Sequence, residues 1–140
     1  MMADTKPLKT SSAPADITRR VKEGHERILA LFQQYLASRP DSRQALVEQI
    51  LHELAFHFEM EENLVFEKLR MSGPEGRRRT RATEVEHEEI KAMILELQQA
   101  EGDDDQAWDE FFEDMMQLVR ALFISEERDL LPLVDRSLDA

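Results

Sequence analysis

Residues 57–69 read HFEMEENLVFEKL. His57 and Glu61 stand four apart, one helical turn, so they share a face. Read outward, that face is otherwise apolar. Leu46, Ile50, Leu54, His57, Glu61, Leu64 and Lys68 recur at three- and four-residue steps, flanked by Val47, Leu51, Phe58 and Val65. The pattern predicts a helix from about Ser42 to Met71. It ends at Ser72-Gly73-Pro74-Glu75-Gly76, a run of helix breakers.

Three further stripes have the same period. Ile17, Val21, His25, Ile28, Phe32 and Tyr35 describe a first helix from the cap candidate Asp16 to about Ala37, closed by Arg39-Pro40-Asp41. His87, Ile90, Ile94 and Leu97 describe a third from about Arg77 to Ala100, stopped by Gly102-Asp103-Asp104-Asp105. Trp108, Phe111, Met115, Leu118, Leu122, Glu126 and Asp129 describe a fourth from about Gln106 to Leu131, with Pro132 near its end. Four amphipathic helices joined by short breaks predict an all-α fold, an up-down-up-down antiparallel four-helix bundle over residues 16–135. Residues 1–15, rich in Ser, Thr, Pro and Lys, read as a tail, and 136–140 as a second short one.

Composition narrows the chemistry. The chain has 140 residues and a net charge of −12, so nucleic acid and anionic lipid are unfavourable partners. It has no cysteine, which excludes disulfides, thiolate metal sites and thiol nucleophiles. No apolar run is long enough to span a bilayer, and the first residues lack a signal-peptide core. The expected location is cytoplasmic. The basic run Arg77, Arg78, Arg79 and Arg81 reads as a solvated loop or helix start, with an anion or partner site as the alternative.

The informative residues are polar ones on apolar stripes. His25, His57 and His87 fall on three different helices, and Glu61 and Glu126 add carboxylates on the second and fourth. A carboxylate facing a core is costly unless it is paired or ligates a metal. Imidazole and carboxylate converging inside a bundle suit iron, manganese or zinc. The plainer readings are core hydrogen bonding for each histidine and a misread face for each glutamate. His52, the fourth histidine, falls off its stripe and reads as surface. Phe112, Val119 and Phe123 flank the fourth stripe, and widen either the core or a dimer surface. The expected state is a monomer or homodimer.

Together these segments resemble the hemerythrin-like, or HHE cation-binding, family. The resemblance rests on His25 in KEGHERILALF (22–32), on the His-x-x-x-Glu-Glu run of 57–69, on His87 in EVEHEEIKAMILEL (84–97) and on LFISEERDLLPLV (122–134). It implies a metal set of His25, His57, Glu61, His87 and Glu126, with the two glutamates bridging two irons. It also implies a diatomic ligand, oxygen or nitric oxide, or the sensing of iron or redox state. The family has a histidine four residues before the fourth-helix glutamate; here that residue is Leu122, and the residue four before His87 is Thr83. The missing ligand leaves several possibilities: a di-iron site completed by water or by Glu127, a mononuclear iron site, or a haem in the apolar room beside Leu122. A metal-free helical interaction module is the competing class. No nucleophile–base set or phosphate loop marks an enzyme, and peroxide or oxygen chemistry at the metal is the enzymatic version.

Overall fold

The computed structural model describes residues 14–100 and 105–137. They form four long helices with no strand among them, an antiparallel up-down-up-down bundle. Helix α1 is Pro14–Ala37. A 3-10 turn, Pro40–Ser42, leads into α2, residues 43–70. Helix α3 is Pro74–Gln99, and α4 covers residues 105–137.

Two of these helices are interrupted by a π turn. In α2 the α-helical stretch Arg43–Glu61 passes through a π segment, Glu62–Phe66, before Glu67–Arg70. In α4, Asp105–Ser125 passes through Glu126–Leu130 into Leu131–Ser137. A π turn closes i→i+5 bonds, so it inserts a residue into the helical register. The inward face beyond it therefore shifts. After Glu61 the buried positions are Val65, Phe66 and Leu69, while Leu64 and Lys68 are only half-buried. After Glu126 they are Leu130, Leu131, Leu133 and Val134, and Asp129 turns outward to pair with Arg128. Leu64, Lys68 and Asp129 are thus corrected from the inward stripe.

The other departures have local causes. Leu118 is 39% exposed and Val119 is fully buried, so the fourth stripe runs through Phe112, Met115, Met116, Val119, Leu122 and Phe123. The phenylalanines and Val119 widen the core rather than a dimer face. Helix α1 already includes Pro14 and Ala15, inside the expected tail. Asp16 then lies in the first turn, 2.9 Å from Arg19. Residues 1–13, 101–104 and 138–140 lie outside the described residues, and with them most of both expected tails and the Gly102–Asp104 break. Arg136 and Ser137, from the second expected tail, are helical in α4. Helix α3 starts at Pro74, three residues before the expected Arg77. Gly73 turns the chain at φ 112°, a region open to glycine, and the Arg77 N–H donates to the Gly73 carbonyl at 3.0 Å. The arginine run therefore occupies the first turns of α3, with Arg77, Arg78 and Arg81 exposed. Pro132, which lacks an N–H, sits inside α4 just past the π turn, where the i→i−4 pattern is already interrupted.

The interior has two apolar bodies. The larger gathers Ile28, Phe32, Tyr35, Leu54, Phe58, Ile90, Met115 and Leu122 with their neighbours. The smaller gathers Ile17, Val21, Val65, Phe66, Leu69, Leu130 and Val134 among others. His25, His57, Glu61, His87 and Glu126 are also buried; His25, Glu61 and Glu126 fall in sequence between members of the two bodies. No described helix is long and apolar enough to cross a membrane.

Candidate metal centre

The five residues meet in the core, each at most 1% exposed. Helix periodicity aims them inward, and His57 stands one α-turn before Glu61. Glu126 spans two histidines: its Oε1 accepts from Nε2 of His25 at 2.9 Å, and its Oε2 accepts from Nε2 of His87 at 2.9 Å. Glu61 spans the same space from the other side. Its Oε2 lies 3.7 Å from His25 Nε2 and 3.6 Å from His57 Nε2, while its Oε1 lies 3.1 Å from His87 Nε2. None of these three contacts has hydrogen-bond geometry. Both Glu61 oxygens and both His57 ring nitrogens are buried without a hydrogen-bond partner.

One ligand atom each from His25, His57, Glu61 and Glu126 all fall within 4.8 Å of one another. His87 addresses the other oxygens of the same two carboxylates. The arrangement therefore has two sides, unequal in donors. One side carries two histidines, the other only His87. Leu122, one turn before Glu126, is packed into the larger apolar body, and the Thr83 hydroxyl donates to the Arg79 carbonyl at 3.0 Å rather than to the cluster.

A second layer of carboxylates aims two of the rings. Nδ1 of His25 donates to Oε2 of Glu127 at 2.7 Å, and Nδ1 of His87 faces Oε2 of Glu62 at 3.4 Å. Lys91 Nζ holds that Glu62 oxygen at 2.6 Å. Glu62 and Glu127 each directly follow a core glutamate and lie in a π turn. The register change there lets chain neighbours address opposite edges of one imidazole. Fixing Nδ1 from outside leaves Nε2 to face a cation. Sequence reasoning did not assign Glu62 or Lys91 a role. The repeated Glu-Glu pair was the available signal. Glu127, weighed as a replacement ligand, serves His25 from its outer edge instead.

Aromatic rings wall the cluster. Phe123 stacks on His25 at 3.8 Å, and Phe58 stacks on His87 at 4.2 Å with Phe66 beside it at 4.9 Å. His52 is exposed, away from the site.

The buried histidines and carboxylates shift one another's titration strongly. Burial alone would lower the histidine pKa values, but the hydrogen bonds to Glu126 and the close Glu61 carboxylate outweigh it and push His25 and His87 up to about 10. Burial and the neighbouring Glu61 charge push Glu126 up to about 7, against the pull of His25 and His87. Burial would also raise Glu61, but the three histidines overcome it and hold the carboxyl well below its ordinary value. The donor set is hard-to-intermediate N and O, and several of its atoms lack any other partner. Both properties fit a divalent or trivalent metal ion.

The model of the hemerythrin HHE cation-binding domain matches residues 16–134. The chain belongs to this family. Membership accounts for the bundle and for a buried histidine–glutamate cluster able to hold a cation. No curated protein and no solved structure matches the chain. This hemerythrin domain has a leucine, Leu122, at the one-turn spacing before Glu126 that His57 occupies before Glu61.

Proposed function

We propose that this hemerythrin domain holds non-haem iron in its core and uses it to bind oxygen or nitric oxide, or to report iron or redox state, as a carrier or sensor. The observation that carries the reading is the convergence of His25, His57, Glu61 and Glu126 donor atoms within 4.8 Å in a buried site. The orphaned His57 nitrogens and Glu61 oxygens support it. Left as polar atoms in a core they are a penalty; as ligands they are satisfied.

The two sides of the site take unequal parts. His25, His57 and one oxygen from each glutamate form the complete position. His87 with the remaining oxygens forms a leaner one, short by the donor that Leu122 does not supply. The iron count is thus one firmly held ion, with a second that is weaker. Iron held there supplies the reversible binding of a diatomic molecule. The protein residues do the rest. Glu127 and Glu62 hold the outer ring nitrogens of His25 and His87, and Phe123, Phe58 and Phe66 exclude water.

A bare ion is favoured over haem, because the donors are too close together to admit a porphyrin between them. It is favoured over a metal-free interaction module because that reading leaves four buried polar atoms unexplained. Cobalt(II) titration tests the asymmetry: His57→Ala should abolish tight binding, and His87→Ala should spare it. Equal loss in both would contradict the unequal sites.

A further inference from the structure

His25 and His87 are aimed by carboxylates at their outer nitrogens. His57 has no such device. Both its ring nitrogens are buried and unpartnered, and its neighbours are rings: His25 tilted against it at 5.0 Å and Phe123 edge-on at 5.7 Å. What lies against its outer edge is the backbone of α1 at Gly24. A methyl group placed on Gly24 would stand 2.3 Å from His57 Nδ1 and 2.5 Å from Cε1.

Nothing else at position 24 calls for glycine. The residue is buried in the interior of α1, and among the described residues the positive-φ glycine is Gly73. Alanine is the better helix former at such a position. The missing side chain has one consequence on this face: it lets the imidazole edge press against the helix axis.

We propose that Gly24 is the positioning residue of His57. The bare α-carbon acts as a steric stop that sets the ring's rotation and leaves Nε2 directed at Glu61, 3.6 Å away. Two of the three histidines are thus oriented by hydrogen bonds and the third by shape. Any side chain at position 24 must swing the His57 ring aside. The consequence for metal binding rests on the functional reading above; the steric coupling does not.

A double-mutant cycle in metal-free protein tests the coupling. Wild type, Gly24→Ala, His57→Ala and the double variant are melted in the presence of chelator. With alanine at 57, Gly24→Ala should raise Tm by about 3–5 °C through helix propensity alone. With histidine at 57 the same change should fall short of that gain by at least about 3 °C, or lower Tm outright. Equal shifts in the two backgrounds would overturn the proposal. If Gly24→Ala alone fails to fold, the double variant decides: a folded double variant supports the clash with His57, and an unfolded one overturns it. Cobalt(II) titration supplies the second readout. Gly24→Ala should weaken the tighter site roughly tenfold or more, and wild-type affinity in that variant would overturn the positioning role. A wild-type protein that binds no cobalt would defeat the functional reading and leave the melting cycle to judge Gly24.

Discussion

Nδ1 of His25 stands 2.7 Å from Oε2 of Glu127, on the edge of the ring that faces away from the glutamate pair in the core. The contact makes Glu127 a partner of the histidine and takes it out of contention as a substitute ligand. Its removal should cost metal affinity without removing a ligand. Glu127→Ala should weaken the tighter site by roughly 10–100-fold, read by competition against a chromophoric chelator. Glu62→Ala should leave the tighter site nearly unchanged, because its contact is with His87.

Leu122→His restores a nitrogen donor one turn before Glu126. If the His87 side is deficient for want of that donor, metal per chain should rise toward two under the loading conditions that give one in the wild type. Metal analysis of the dialysed protein measures this. An unchanged count would mean that Leu122 does not lie on the deficient side.

Metal uptake should release protons. The sign follows from the histidines. With folded-state values near 10, His25 and His87 are charged at neutral pH, and an ion can coordinate them only after those protons leave. Affinity should therefore rise from pH 6 to pH 9. Calorimetry in buffers of different ionisation enthalpy counts the protons released. The same raised values make the metal-free protein's histidine pairing fully stabilising below about pH 6.5. That contribution fades as pH approaches 10, so Tm with chelator present should fall across that interval.

Binding should stabilise the fold by mass action. A free ion at a hundred times its dissociation constant adds about 2.7 kcal/mol, a rise in Tm of several degrees. Glu61→Gln keeps the shape but removes the charge that addresses all three histidines. The metal-induced rise should disappear in that variant, as followed by thermal melts with and without metal.

Much of this was legible in the sequence. The apolar stripes of α1 and α3 hold residue for residue, and His25, His57, Glu61, His87 and Glu126 meet where their stripes put them. A charged or polar residue at an inward helical position is an anomaly that a 3.6-residue period exposes directly. The π turns were not legible. They shift the register by one residue: Leu64 and Val65 are both apolar and read well in either register, while Asp129 falls on the inward side of a regular 3.6-residue stripe until the turn carries it outward. For the same reason Leu118 and Val119 could not be ranked, since both are apolar neighbours. The second-layer carboxylates were hidden because Glu62 and Glu127 lie off the α-helical stripe and come into reach only through those turns. Gly24 was hidden because a missing side chain leaves no mark on a hydrophobic pattern.

The central claim is that the buried histidine–glutamate cluster holds iron. The most direct measurement is metal content and visible spectrum of protein purified from iron-supplemented cells, beside the His57→Ala variant prepared alike. Wild-type protein should carry at least one iron per chain and show no Soret band, and the iron should be lost in the variant. Wild-type protein that is colourless and metal-free, or iron that survives His57→Ala undiminished, would contradict it.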